Sequence, residues 1–188
     1  MINISVAVLA GFALVSTSFA AEGLRPVFGM GVTGGGEKLA TVVYTNGSTQ
    51  SVKSGGLLHL FGGLEYEAAS FAIQGNVGYH VDDTNASNGS VKFARMPVEL
   101  LAFWKANDAW RFGGGVRKAG SAKISSSGAA SNVGNITLDS KAGLVLQGEY
   151  SFWSERGSVY VRSVTEKYTV NKVDISGNHV GLGFAFRF

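Results

Sequence analysis

The stretch Asn178-His-Val-Gly-Leu-Gly-Phe-Ala-Phe-Arg-Phe188 decides the fold. Small or polar residues alternate in it with apolar ones, which are Val180, Leu182, Phe184, Phe186 and Phe188. A period of two is typical of a strand with one apolar and one polar face. Exposed to water, that apolar face would be prone to aggregation, whereas on a barrel wall it contacts lipid. The stretch therefore predicts a strand that crosses a membrane.

Seven further segments have the length of a tilted membrane strand, about 9–11 residues or slightly more. With 178–188 they make eight, and the others are 24–34, 57–67, 71–81, 91–104, 109–118, 139–152 and 158–168. The connections after the second, fourth and sixth segments are short, and those on the other side are mostly longer. Because open sheet edges cannot be satisfied in lipid, we predict an all-β protein, an eight-stranded antiparallel up-and-down transmembrane β-barrel.

The first twenty residues are predicted to be a signal peptide. An apolar run from Ile4 to Val15 precedes small residues at Ser18 and Ala20, and the run is too short to span a membrane. One feature departs from the pattern, because no lysine or arginine occurs before Arg25. We expect 1–20 to be removed and 21–188 to form the barrel domain.

Charged residues are predicted to fill the interior of this barrel. Alternation places four glutamates and five arginines on the lumen face: Glu65, Arg95, Glu99, Arg111, Arg117, Glu149, Arg162, Glu166 and Arg187. Buried charges need partners, so we expect an ion-pair network that plugs the lumen. We expect Arg95, Glu99, Arg162 and Glu166 to pair between neighbouring strands. A gate or a narrow pore is the alternative that this pattern leaves open.

Tryptophan and lysine mark the two ends of the predicted barrel. Trp104, Trp110 and Trp153 fall at the end with short turns, as expected for a periplasmic aromatic girdle. Eight lysines fall at the opposite, extracellular end: Lys38, Lys53, Lys92, Lys118, Lys123, Lys141, Lys167 and Lys172. Ammonium groups suit phosphate, so these lysines are candidate contacts to lipopolysaccharide. The alternative is ordinary solvated loop charge.

Several other chemistries are disfavoured. The chain has no cysteine. Gly29-Met-Gly-Val-Thr-Gly34 matches a dinucleotide fingerprint only in letters, because no helix is predicted after it. Basic residues do not interleave with aromatic ones, so nucleic acid is not an expected partner. His80-Val-Asp-Asp83 could hold a cation at a loop mouth, but a solvated acidic loop is the preferred interpretation. We expect no metal and no cofactor.

The whole of 21–188 resembles the small outer-membrane barrels of the OmpA, OmpX and OmpW type. The resemblance rests on the N-terminal segment, the terminal Gly-Phe-Ala-Phe-Arg-Phe, the strand number and the loop asymmetry. It implies residence in the bacterial outer membrane, without a soluble C-terminal domain. It also implies that the barrel-assembly machinery reads an assembly signal at Phe184, Phe186 and Phe188.

Function is less constrained than fold, because this scaffold supports several activities. Our first expectation is a non-enzymatic structural or envelope protein, or one that binds through its loops. A narrow channel for small solutes is the alternative, and a lipid-modifying enzyme comes third. Small barrel hydrolases carry His-x-Ser or Asn-His-Ser motifs. The contexts of His59, His80 and His179, all predicted to face the lumen, lack these motifs.

Two segments depart from the pattern of eight regular membrane strands. Pro97 lies inside a predicted strand, where a closed barrel offers no edge, so we expect a bulge there. The stretch 37–45 also reads as a strand, and Asn46-Gly47 after it is a turn signal. We expect this stretch to extend the first hairpin beyond the membrane.

Overall fold

Eight strands of the computed structural model close into an antiparallel barrel. The structure describes residues 23–43, 47, 49–86, 89–128, 130–131, 134–152 and 156–188. The wall consists of β1 (Leu24–Gly35), β4 (Leu57–Glu67), β5 (Phe71–Ala86), β6 (Gly89–Lys105), β7 (Trp110–Gly128), β9 (Gly143–Phe152), β10 (Gly157–Thr165) and β13 (His179–Arg187). Each strand pairs with the next one in this list, while β13 pairs with β1 to complete the circle. The predicted fold class is confirmed.

Alternation along the wall separates an outer from an inner face. In β9, Leu144, Leu146 and Tyr150 point outward, whereas Val145 and Glu149 are buried inside. The same holds all round the barrel, so large apolar side chains form an exposed outer band. Contact of such a band with water costs free energy, because apolar surface is favoured away from water. Contact with the acyl chains of a lipid bilayer avoids this cost, as in transmembrane barrels. In the described residues no helix is long and apolar enough to cross a membrane.

The connections show which end is which. The turns after β4, β6 and β9 are short, and by the rule for such barrels they mark the periplasmic end. At the other end the strands continue past the apolar band and carry five short strands. These are β2 (Lys38–Val43), β3 (Thr49–Lys53), β8 (Ile136–Ser140), β11 (Lys167–Val170) and β12 (Val173–Ser176).

These extracellular strands correct several predicted boundaries. The segment predicted as 139–152 is two strands, β8 and β9, and the segment predicted as 158–168 divides into β10 and β11. The segment predicted as 109–118 continues as β7 to Gly128. The strand expected within 37–45 is β2, which pairs with β3 as a separate two-stranded sheet. Asn46 lies outside the described residues.

Pro97 sits beside an irregularity, as its missing N–H requires. Pairing of β5 with β6 is interrupted between Val77↔Val98 and His80↔Arg95. On the other side, the register of β6 against β7 shifts between Ala94 and Met96. Ser121 of β7, opposite this shift, has a φ of 51°. The extra β7 residue forms a bulge that lets a proline remain in a wall strand.

An apolar cluster closes the extracellular end above the barrel interior. It contains buried side chains from the first hairpin, the extended wall strands, β8 and β11, namely Val52, Val91, Phe93, Ala119, Ala122, Ile124, Leu138 and Tyr168. Beneath it the interior is polar, with two smaller apolar clusters around Leu101 and around Phe61. The polar interior is the candidate site.

Candidate functional site

All nine charged residues assigned to the lumen lie in the barrel interior. Each of them is buried, with at most 5% of its surface exposed. The structure groups them into two networks at different heights. One network lies near the periplasmic end and the other lies below the extracellular cluster.

The periplasmic network is a closed ring of two glutamates and two arginines. Arg111 donates from Nη2 to Glu65 (2.8 Å) and from Nε to Glu149 (3.0 Å). Arg187 donates from Nε to Glu65 (2.9 Å) and from Nη2 to Glu149 (2.6 Å). Each arginine therefore bridges the same two carboxylates. Such charge-assisted bonds are the strong kind, and the ring is electrically neutral.

Neutral polar side chains complete this ring. Glu149 accepts further hydrogen bonds from Ser158 Oγ (2.9 Å) and Gln147 Nε2 (2.7 Å). Ser158 in turn accepts one from Arg187 Nη1 at 3.0 Å. These polar partners matter because buried carboxylates are stabilised only when their remaining lone pairs are also satisfied.

The upper network is centred on Arg117. This arginine donates to Glu99 from Nη1 (2.7 Å) and to Glu166 from Nε (2.9 Å). Arg162 also donates to Glu99, at 2.9 Å, and Arg95 Nε lies 3.6 Å from Glu166 Oε1. Glu99 pairs with Arg117 on the neighbouring strand β7. For Glu99 with Arg162 the expectation of neighbouring strands is wrong, because β6 and β10 are not adjacent in the wall. Their side chains meet across the lumen.

Asp82 belongs to the interior, although we assigned it to a solvated loop. It is 7% exposed, its Oδ2 accepts the backbone N–H of Lys53 (2.8 Å), and it adjoins Gly56, whose carbonyl faces Arg95. With Asp82 the buried interior holds five acids and five arginines. The available signal was alternation, since Asp82 follows the lumen-facing His80 by two positions.

Aromatic side chains fill the space between the two networks by packing over glycines. The Phe61 ring occupies the place where a Cβ on Gly29 would lie, and Phe103 does the same over Gly113. Tyr160 lies over both Gly31 and Gly183 in this way. An eight-stranded barrel is just wide enough for side chains to fill it. The lumen of the described structure is thus a packed core and not an open pore.

Three histidines join the upper network, as their predicted lumen orientation implied. His80 and His59 lie with ring centroids 5.2 Å apart, and His80 and His179 with centroids 5.0 Å apart. His80, Glu166 and His179 bring potential ligand atoms within 4.8 Å of one another. However, Arg95 and Arg117 contact His80 and also face Glu166. Their guanidinium charges repel a metal cation and occupy the atoms that would bind it.

The periplasmic end carries two of the three predicted girdle residues at its surface. Trp104 and Trp110 are exposed at the ends of β6 and β7, and Trp110 packs beside Tyr150 and Phe112. Trp153 lies outside the described residues, as does the predicted signal peptide 1–20. A shallow notch opens at this end, lined by Arg25, Lys105 and Arg111 among others.

All eight lysines proposed as lipopolysaccharide contacts are exposed at the extracellular end. Some of them have partners there: Lys141 donates to Asp174 at 2.9 Å, and Lys92 Nζ lies 5.6 Å from the centroid of the Tyr79 ring. The hydrogen bond from Lys141 holds the pKa of Asp174 below its usual range. Lys118 and Lys123 lie on the outer face of β7, just above the apolar band.

The last strand has the orientation that its alternation predicted. Leu182 and Phe184 are exposed on the outer face of β13, Phe186 is half-buried there, and Arg187 points inward. Phe188 follows the strand and is 69% exposed, with its N–H bound to the carbonyl of Pro26 (3.1 Å).

Comparison with known proteins shows likeness in fold only. No protein-family model matches the chain, and no curated protein does. Among solved structures, it is similar to Ail, the attachment invasion locus protein of Yersinia pestis, with 12% identity, a TM-score of 0.47 and coverage of 89% of this chain and 100% of that one. It is also similar to the outer-membrane proteins AlkL (14% identity, TM-score 0.41, 92% and 94% covered) and OprG from Pseudomonas aeruginosa (13%, 0.38, 88% and 94%).

The compartment follows from the architecture itself. An even-numbered closed antiparallel barrel has an apolar outer band, short turns at one end and long connections at the other. These are the features of bacterial outer-membrane barrels, so the protein is a barrel of that membrane.

Proposed function

We propose that the protein is a non-enzymatic structural barrel of the outer membrane, which acts through its extracellular surface and does not transport solutes. The observation that carries this proposal is the filled interior, in which two ion-pair networks are separated by aromatic side chains over glycines. An ion or solute would have to break buried charge pairs to pass. Breaking one such pair costs about 3–5 kcal/mol.

The chemistry of the interior carboxylates also supports a structural role. Glu65 and Glu149 are each bound by two arginines, and Glu99 is bound by Arg117 and Arg162. A general acid must carry a proton near the working pH, and neighbouring arginines oppose this. The interior arrangement therefore supports an ion-pair core better than a hydrolytic site.

Planar-bilayer recording at neutral pH tests the proposal. The wild-type barrel is expected to give no steady conductance. Removing both carboxylates of the periplasmic ring, with Glu65→Ala and Glu149→Ala, together with Glu99→Ala, is expected to produce openings. Frequent, steady openings of the wild type would overturn the proposal in favour of a narrow channel.

We also propose that the extracellular lysines bind the phosphates of lipopolysaccharide. Lys118 and Lys123 support this, because both are exposed on the outer face of β7, on the extracellular side of Val116 of the apolar band, and an ammonium group suits phosphate. Replacing both by glutamine should weaken association with vesicles containing lipopolysaccharide, and the effect should shrink as salt increases. Vesicles of zwitterionic phospholipid are the control, and equal loss on both kinds of vesicle would count against a phosphate contact.

A further inference from the structure

The first extracellular hairpin is folded over the barrel mouth like a lid. We use "lid" for the described strands β2 and β3 together with Glu37 and Ser54, which join them to the wall. Val52 of the lid is fully buried in the extracellular apolar cluster. Ser54 Oγ donates to the carbonyl of Ser176 (2.5 Å), and the Lys53 N–H donates to Asp82 (2.8 Å). These contacts hold the lid closed.

The lid joins the wall through a pair of glycines at each end. Gly35 and Gly36 have φ values of 132° and 73°, which glycine adopts far more readily than other residues. Gly55 and Gly56 form the other pair. These glycines rest directly on the upper network, because a Cβ on Gly55 would collide with His179 and one on Gly56 with Asp82. A displacement of His179 or Asp82 would therefore displace the glycine pairs that join the lid to the wall.

His80 occupies the centre of this network under a specific constraint. Its Nδ1 lies 2.9 Å from Arg117 Nη2, and its Nε2 lies 3.1 Å from Arg95 Nη2. A guanidinium can only donate, so a ring nitrogen facing it must offer a lone pair. Thr33 Oγ1, 2.8 Å from Nε2, can accept or donate. A neutral ring has one lone pair, which can accept from Arg117 at Nδ1, and one N–H, which can be donated from Nε2 to Thr33 Oγ1. A doubly protonated His80 would lose that lone pair, add a positive charge and point an N–H at both arginines, so the closed arrangement favours the neutral ring.

His59 is under the same constraint, whereas His179 is not. Nδ1 of His59 lies 3.3 Å from Arg162 Nη1, so it too must accept. Nδ1 of His179 instead faces the carbonyl of Gly177 (2.7 Å) and lies 3.7 Å from Glu166, both of which favour an N–H. Charged or titratable groups surround the histidines on all sides. Each of the neighbouring elements contributes at least one: Asp82 of β5, Arg95 and Glu99 of β6, Arg117 of β7, Arg162 of β10, Glu166 after β10, and Tyr168 of β11.

We propose that the upper network is a proton-operated latch, in which protonation of His80 and His59 releases the lid from the barrel mouth. Each added proton places a second cation within hydrogen-bond distance of an arginine, and moving the lid lets water reach both. A histidine released into water has its ordinary pKa of about 6.5, so opening of the lid is coupled to proton uptake once the pH falls below that value. The periplasmic ring contains no histidine and stays closed, so acid opens the mouth without opening a pore.

Cysteine labelling tests this directly, because the chain has no cysteine of its own. Val52→Cys places a thiol beneath the lid, and Thr41→Cys places one on an exposed position of β2. The ratio of the two maleimide rates cancels the effect of pH on thiol reactivity. This ratio is expected to stay constant from pH 8 to about pH 6.5, the ordinary pKa of a hydrated histidine, and to rise below it, by up to tenfold per pH unit for each proton bound. Far-ultraviolet circular dichroism checks that the strands persist.

Substitution of the histidines separates the latch from general acid effects. In the Val52→Cys background, His80→Gln with His59→Gln should remove most of the pH dependence, whereas the matched control His179→Gln should retain it. A ratio that does not change with pH in the wild-type background would overturn the proposal. So would an equal response in all variants, or loss of the strand signal at the pH where labelling begins. Bilayer recordings at pH 5 should remain silent, and acid-induced conductance would contradict the closed periplasmic ring.

Discussion

Replacing Glu149 by glutamine should destabilise the barrel more than any change of similar size on its surface. The carboxylate accepts hydrogen bonds from Arg111, Arg187, Ser158 and Gln147. Glutamine keeps the volume but removes the negative charge, which leaves two buried arginines sharing Glu65 alone. Removing one partner of a buried pair costs about 3–5 kcal/mol. Since 1.4 kcal/mol is a factor of ten, the folded-to-unfolded ratio should fall by roughly two to four powers of ten.

Urea unfolding in lipid vesicles, followed by tryptophan fluorescence, measures this loss. Asp174→Asn is the matched control, because it removes one carboxylate charge from the exposed Lys141 pair and should leave the midpoint unchanged. If Glu149→Gln and Asp174→Asn unfold at the same urea concentration as the wild type, the periplasmic ring does not stabilise the fold. Restored stability in Glu149→Gln with Arg111→Met would assign the loss to the unpaired arginine.

Three further changes test other parts of the structure. Phe184→Arg on the lipid face should cost about 2–4 kcal/mol near the bilayer midplane, while Phe184→Leu in the same unfolding assay should cost much less. Gly29→Ala should destabilise the barrel by about 1–3 kcal/mol, because the new methyl group meets the Phe61 ring. Adding Phe61→Leu should restore part of the lost stability. If the glycine served only a turn, this second change would restore none. Deletion of Phe188 should lower the yield of assembled protein in cells more than stability in detergent, and a normal cellular yield would contradict an assembly role.

Most of the wall could be predicted from sequence because a lipid-spanning strand has a strict period. In β9 and β13 every outward position is apolar or small, so face and approximate length follow directly from the residues. The inward orientation of Arg187 and Glu149 follows from the same period. Closure follows as well, because lipid leaves no other way to satisfy the edges of such strands.

The pairing of interior side chains could not be predicted in the same way. Alternation gives the face of a residue but not its height or its partner across the lumen. Arg187 and Glu65 are 122 positions apart in the chain, and their contact depends on the stagger of the closed barrel. Among the extracellular strands only β2 is predicted separately, and the reason is related. Beyond the membrane neither period nor length is constrained by lipid, so β8 and β9 read as one segment.

The two networks differ in what acid can do to them, and this difference follows from their residues. The ion pairs of the periplasmic ring join two glutamates to two arginines, and no histidine takes part in them. The upper network adds three histidines, two of which are held neutral by arginines that can only donate. It also lies directly under the glycine hinges of the lid. The network without histidines therefore lies at the periplasmic end, and the network that contains them lies at the extracellular end, beneath the lid. This arrangement lets the outer surface respond to pH while the membrane barrier is preserved.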